Sequence, residues 1–208
     1  MTKYTRQVGD ATLAVQCRSA LEAQAAWLLD TISAFKSQGK GLADGVRIQV
    51  GWSLLTLQQR GGELVVCEPA YADNPFSALS DDVSATLTVL AQQRDLLAKL
   101  GVQGAFALFN EKIVLLRGAL NVEHIYLERS EPTAGDSGWY IAPVEGDAPD
   151  ESADPNEVYE SIYVYQLLQS RPSLLPVLAL PSGYLVVFQG QQIEAVLNES
   201  GVNVWSGA

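Results

Sequence analysis

Between Ser130 and Glu160 the chain places nine carboxylates and four prolines in one stretch, without a single lysine or arginine. Like charges at that density repel one another and resist burial, so the stretch belongs on the surface and reads mostly as exposed loop. It also divides the chain. Residues 1–130 hold 13 acids and 12 bases, whereas residues 131–208 hold 11 acids and one base, Arg171. The net charge of -11 is therefore concentrated in the second part. A surface of that sign repels phosphate backbones and anionic lipid head groups. Direct binding to nucleic acid or a membrane is disfavoured, and a basic partner is favoured.

Of the 208 residues, 48% are hydrophobic, enough to bury one large or two small cores. Residues 1–6 lack the apolar run of a secretory signal, and no stretch approaches the roughly 18 apolar residues of a membrane span, which places the chain in the cytosol. Cys17 and Cys67 sit in apolar surroundings without metal-ligand spacing, as buried thiols of a reducing compartment do.

The first clear element runs from about Arg18 to Ser37, where Leu21, Ala25, Leu28, Ile32 and Phe35 alternate at steps of four and three along one helical face. Val46, Ile48 and Val50 then alternate as a strand, and Leu54 to Leu57 continues extended. Arg60-Gly61-Gly62 turns the chain back into a strand over Glu63 to Cys67. Pro69 to Pro75 reads as loop. Ser80 is the expected N-cap of a second helix, with Asp81 and Asp82 in its first turn, Val83, Leu87, Leu90, Leu97 and Leu100 inward, and Gly101 at its end. Ala105–Phe109, Ile113–Arg117 and His124–Glu128 are rich in β-branched or aromatic residues and read as strands. After the acidic stretch, Val158 to Gln169 is predicted as helix and Tyr184 to Phe188 as strand. Gln192 to Asn198 is strand or short helix, and Gly201 to Trp205 an edge strand. The fold class that follows is α+β: a 1–130 domain of two main helices on a mostly antiparallel sheet, then a smaller acidic α+β domain over 131–208.

Few motifs carry chemistry. Gly135-Asp136-Ser137-Gly138 matches the tetrapeptide around the nucleophile of trypsin-like proteases, but Trp139 and Tyr140 follow it where an oxyanion loop would need glycine. The lone His124 lies too close upstream to serve as that family's base. A turn in which Asp136 and Ser137 cap the backbone and Gly138 supplies an unusual dihedral is the expected structure, and His124 reads as an ordinary strand residue. Asp147, Asp150, Glu151 and Asp154 lack the spacing of a calcium loop, and no phosphate-binding glycine motif occurs. Glu68 and Asp73 could pair as carboxylates but read as surface loop. No cofactor and no metal are expected. What remains is an acidic surface with Trp139, Tyr140, Tyr159, Tyr163 and Tyr165 interleaved or adjacent, a mixture suited to a protein interface.

The Gly135-to-Trp139 core, the acidic loop around Gly146-Asp147, and Leu174-Leu175-Pro176-Val177-Leu178 with Pro181 and Gly183 resemble the immunity protein thirty-three family of bacterial polymorphic toxin systems. The resemblance covers roughly the last 75 residues. Gly51-Trp52-Ser53, Glu68-Pro69 and Arg117-Gly118-Ala119-Leu120 are similar to a domain that accompanies this module. The path Tyr140-Ile141-Ala142-Pro143-Val144 before Gly146, with Pro149 and Pro155 beyond it, departs from the family and reshapes the surface, so partner identity does not carry over.

The resemblance implies a non-enzymatic inhibitor of a cognate toxin delivered between bacteria, with type VI secretion as one route. An acidic inhibitor in the cytosol suits a nuclease toxin, whose phosphate-gripping lysines and arginines it can occupy. The expected partner-binding residues are Asp136, Trp139, Tyr140, Glu145, Asp147, Asp150, Glu151, Asp154, Glu157 and Tyr159. Trp139 and Tyr140 would either anchor the contact or support its base. Two other classes stay open: a metal-assisted hydrolase using clustered carboxylates, and an adaptor or chaperone for a secreted effector.

Overall fold

A computed structural model describes residues 1–37, 41–145 and 154–207 of the chain. They form two compact units, Met1–Gln92 and Gln93–Ala208. The division thus falls well before Ser130, because the strands between 112 and 129 share a sheet with those that follow the acidic stretch.

The first unit opens with strands β1 (Thr2–Val8) and β2 (Ala11–Cys17), paired antiparallel. No element is predicted there from apolar spacing. Alternate residues of β1 are exposed, and its inward positions include Thr2 and Arg6, so its sequence carries little apolar signal. Helix α1 (Glu22–Ser37) follows, entered through a 3-10 turn over Ser19–Leu21. Its expected face is the buried one: Ala25, Leu28 and Ile32 are inside, with Leu21 and Phe35 packed at the margin. Strands β3 (Arg47–Val50), β4 (Ser53–Arg60), β5 (Glu63–Pro69) and β6 (Leu79–Ser80) complete a sheet of order β1-β2-β5-β4-β3, with β6 on β5. Gly61 and Gly62 both have positive φ, +55° and +87°, so they form the two-residue hairpin turn in which Arg60 pairs with Glu63.

Helix α2 (Ser84–Leu100) begins later than expected. Asp82, rather than Ser80, accepts the Ser84 N–H at 2.9 Å, while the Ser80 hydroxyl accepts the Asp82 N–H one turn earlier. Its far end belongs to the second unit.

That unit contains β7 (Lys112–Leu116), β8 (His124–Arg129), β9 (Asp136–Pro143), the one-turn α3 (Pro155–Val158), β10 (Tyr159–Tyr163), α4 (Leu167–Ser170), β11 (Leu185–Gln189) and β12 (Gln192–Leu197). The sheet order is β10-β7-β9-β8-β11-β12. Part of the stretch read as exposed loop is therefore the interior strand β9. The helix predicted over Val158–Gln169 is instead β10 followed by a 3-10 turn and α4, since Tyr159, Ile162 and Tyr163 favour a pleated surface and β7 offers the pairing edge. Ala105–Phe109 joins no sheet: Ala105 and Ala107 donate to the carbonyls of Ala179 and Leu178 at 2.8 and 3.2 Å. Those acceptors belong to a 3-10 helix over Pro172–Ala179, which buries Leu174, Leu175, Val177, Leu178 and Ala179. Gly201–Trp205 makes one isolated bridge, Asn203 to Leu197, and no strand.

The Gly135-to-Trp139 sequence makes a bulge. On β7, Lys112 and Val114 are two residues apart, yet their β9 partners Asp136 and Tyr140 are four apart. Asp136 Oδ1 accepts the Gly138 N–H at 2.8 Å, and the fully buried Ser137 hydroxyl donates to the Lys112 carbonyl at 2.7 Å. Gly138 has φ +76°, and a Cβ there would collide with the Ser130 carbonyl. The expected capping turn is present, and it turns the Trp139 ring into the core at 1% exposure. Gly138→Ala is expected to lose roughly 2–4 kcal/mol in chemical denaturation, combining strain with a clash. Gly135→Ala, at φ +82° with open space around it, should lose only about 1 kcal/mol. Equal losses would contradict the close approach at Gly138.

Candidate partner-binding face

The sheet of the second unit has two unlike faces. Ile113, Leu115, Ile125, Leu127, Trp139, Ile141 and Phe188 are buried on one, where the Trp139 Nε1–H donates to the Leu178 carbonyl at 3.4 Å. Alternation in each strand sends their neighbours to the other face. There Tyr126, Tyr140 and Tyr159 form a stripe across β8, β9 and β10, with ring centroids 6.1 and 6.3 Å apart in edge-to-face arrangements. Tyr126 and Tyr140 are half-buried, and Tyr159 is 37% exposed. Burial, then the neighbouring Tyr126 and Tyr159, push the Tyr140 phenol up to about 12. Burial and the Glu128 carboxylate likewise raise Tyr126. Tyr126 and Tyr140 therefore stay neutral at physiological pH.

Carboxylates edge this face. Glu128, Glu145, Asp154 and Glu157 are exposed, and Asp136 is half-buried in its bulge. Asp154 also caps α3, accepting the Asn156 N–H at 2.9 Å, so its charge helps hold the backbone that leads into Tyr159. Arg117 completes that support by donating to the carbonyls of Asn156, Glu157 and Tyr159. Asp147, Asp150 and Glu151 lie outside the described residues. Of the ten residues expected at a partner surface, Tyr140, Tyr159, Asp136, Glu145, Asp154 and Glu157 lie on or beside this part of the fold. Trp139 lies beneath it, in the core.

Sequence reasoning did not single out Tyr126 or Glu128, although strand alternation places both beside Tyr140. His124 is more than an ordinary strand residue, since its Nε2 lies 3.1 Å from Glu194 Oε2 and its Nδ1 3.9 Å from Glu145 Oε1. Among the described residues, no cluster of three or more His, Cys, Asp or Glu is placed to hold a metal ion.

The free edge of β10 is largely closed. Pairing with β7 leaves the backbone groups of Tyr159, Ser161 and Tyr163 pointing outward. Arg117 takes the Tyr159 carbonyl, Pro155 the Tyr159 N–H, and the Gln166 side chain the Tyr163 N–H at 2.7 Å. Side-chain contact across the face, rather than strand addition, is what this geometry offers a partner.

A second polar cluster lies in the first unit. Glu68 is 5% exposed rather than on a surface loop, whereas Asp73 is exposed as expected. The Glu68 carboxylate accepts the Thr86 N–H at 2.8 Å. The Thr86 hydroxyl bonds Ser53, Ser53 bonds Tyr71 at 2.7 Å, and Tyr71 stacks on Trp52 at 4.9 Å. The Gly51-Trp52-Ser53 and Glu68-Pro69 motifs thus meet in one satisfied, buried network. Cys17 and Cys67 are likewise buried, as free thiols.

These observations define an α+β protein of two units, the second carrying a half-buried aromatic sheet face edged by carboxylates. Among the described residues no helix is long and apolar enough to cross a membrane. The Imm33-like domain family model matches residues 92–199, more than half of the chain, and the chain belongs to that family of immunity proteins. The match spans the Gly135-to-Trp139 core and the Pro172–Ala179 helix. It starts where the second unit starts, earlier than the resemblance at the last 75 residues, and leaves residues 1–91 outside it. No curated protein and no solved structure matches the chain.

Burial, only partly offset by the Thr86 hydrogen bonds, pushes the Glu68 carboxyl up to about 7 from 4.5. Its folded form holds a proton that the unfolded chain releases. The associated stability is complete below about pH 4.5 and is lost as pH rises through 7, a fall on the order of 3 kcal/mol. The stability difference between wild type and Glu68→Gln, followed by denaturation from pH 4 to 8, is expected to change by that amount. A difference that stays flat with pH would show that Glu68 titrates in the folded chain as it does in the unfolded one.

Proposed function

We propose that this chain is a cytosolic immunity protein that binds a cognate antibacterial toxin and neutralises it without catalysis of its own. The observation that carries the reading is the fate of Arg171. This arginine is the single base of residues 131–208, and it is 4% exposed, with its guanidinium committed to the carbonyls of Val122, Glu123 and Gly190. Among the described residues, the surface of that stretch presents carboxylates and no cation. Glu145, Asp154 and Glu157, with Asp147, Asp150 and Glu151 of the same stretch, supply charge that steers a basic partner. Tyr140 and Tyr159 supply contact area.

The favoured partner is a nuclease effector acting in the cytosol, with type VI secretion as its delivery route. Its active-site cleft must be basic to hold phosphates, and carboxylates spaced along one stretch of chain can take the place of those phosphates. Family membership supports inhibition over an adaptor role.

Co-expression with the product of the adjacent reading frame tests this. Survival and co-purification are expected with the wild-type chain. Reversing Asp147, Asp150, Glu151 and Glu157 to Lys, which spares the capping Asp154, should weaken binding by about 100-fold or more and abolish protection, with the thermal midpoint unchanged. Co-purification without protection would make the chain an adaptor. Undiminished protection by the reversed variant would remove the acidic surface from the mechanism.

A further inference from the structure

Of the four sheet edges among the described residues, three are short or closed. Strand β3 is four residues long. On β10 the outward backbone groups are largely taken by Arg117, Pro155 and Gln166. On β12 the Val196 N–H donates to Asn203 Oδ1 at 3.2 Å, its carbonyl accepts the Val204 N–H at 2.8 Å, and the Asn198 N–H donates to the Val202 carbonyl at 3.0 Å. The fourth edge is β1, which pairs with β2 over seven residues on one side and with no described strand on the other.

The groups it leaves free follow from its hairpin. Strands β1 and β2 are joined by a two-residue turn, Gly9-Asp10, with Gly9 at φ +62°, so Val8 and Ala11 exchange hydrogen bonds with each other. Alternation then commits Thr2, Tyr4, Arg6 and Val8 to β2 and points the N–H and C=O of Lys3, Thr5 and Gln7 outward. Among the described residues no hydrogen bond reaches those groups. Charged side chains ordinarily keep such an edge from pairing, but here Lys3 is neutralised by Glu63 and Arg6 by Asp30.

The edge is complementary to itself. In an antiparallel pair centred on Thr5, Lys3 opposes the Gln7 of a second copy, Tyr4 its Arg6 and Thr2 its Val8, and the two threonines meet at the axis. Centring on Lys3 or Arg6 would set like charges face to face, and centring on Tyr4 would shorten the paired run. Helix α1 lies over both β1 and β2. With strands about 4.8 Å apart, two copies of it would run roughly 10 Å from each other across the axis, the spacing of packed helices. The Arg6–Asp30 ion pair marks its flank on the β1 side, where Ala26 and Ser33 neighbour Asp30 and leave room for that approach. Charge points to the same unit. Residues 1–92 carry nine acids and seven bases, whereas residues 93–208 carry fifteen acids and six bases and would repel a copy of themselves.

We infer that β1 is a self-association edge: two copies of this chain pair β1 with β1, antiparallel about Thr5, into one continuous sheet. The inference rests on the unit that lies outside the family match and is independent of what the second unit binds.

Sedimentation equilibrium of the full chain tests it. The weight-average mass is expected to rise from that of one chain towards that of two between about 1 and 200 µM. Thr5→Pro removes an N–H that the fold does not use, so it should leave the thermal midpoint nearly unchanged and weaken the dimer about tenfold or more. Gln7 reports the register, since it faces the Lys3 of the other copy twice in each dimer. Gln7→Glu should tighten the dimer about fivefold and Gln7→Lys loosen it by a similar factor. If Thr5→Pro lowers the midpoint, these opposite shifts decide. A chain that stays monomeric throughout overturns the inference, as does a dimer that a folded Thr5→Pro variant leaves intact. Gln7 variants that shift the dimer in the same direction overturn the pairing about Thr5. A monomeric chain that loses the adjacent-frame product on Thr5→Pro would show that the edge takes a strand of that partner instead of a second copy.

Discussion

The second unit depends on one buried guanidinium. Arg129, 3% exposed at the end of β8, donates to the carbonyls of Ala105, Ser137 and Leu180, which come from three separate segments, and lies 5.6 Å from the Trp139 ring centroid. Arginine suits this position because its planar fork offers five donors in fixed directions, while a lysine's three donors radiate from a single nitrogen and could not span these acceptors. Burial lowers its pKa, with Glu111 and Glu131 opposing, but a guanidinium starts high enough to stay charged. The bulge at Asp136–Trp139, the extended run at Ala105 and the exit of the 3-10 helix at Leu180 are thereby fixed to one point. Arg171 does the same for the turn before β8 and the β11–β12 hairpin.

This use of arginine sets the electrostatics of the surface. Both buried guanidiniums are neutralised by backbone dipoles rather than carboxylates, so the acids of the unit are not consumed as internal counter-ions. Within residues 131–208 the charge segregates, with Arg171 inside and Glu145, Asp154 and Glu157 outside. The aromatic stripe lies between these acids and above Trp139, so the element that stabilises the bulge also supports the proposed contact surface.

Much of this was legible in the sequence, and the failures share a cause. The helical face from Ala25 to Ile32, the Gly61-Gly62 hairpin and the Gly138 turn are encoded by local periodicity or by a backbone conformation that glycine favours. The β1–β2 hairpin, the strand at Tyr159–Tyr163 and the interior position of β9 depend on partners distant in the chain, which residue spacing does not report. A run of uncompensated acids suggested that most of the stretch is loop, yet strand alternation puts Trp139 of the same stretch in the core, beside the bulge at Asp136. The burial of Arg171 was invisible for the same reason: its acceptors are backbone carbonyls at residues 122, 123 and 190, and carbonyls carry no sequence signal. The first unit's Glu68 network was likewise missed because Thr86 is eighteen residues away.

If the outward carboxylates meet a basic partner, the encounter must be driven by long-range attraction that salt screens. The most direct measurement is the association rate constant of the full chain with the adjacent-frame product, taken by stopped flow from about 50 to 500 mM salt. The acidic surface predicts a fall of about tenfold or more across that range, with the dissociation rate changing far less. An association rate constant that does not change with salt would contradict it and leave an uncharged, apolar contact as the basis of binding.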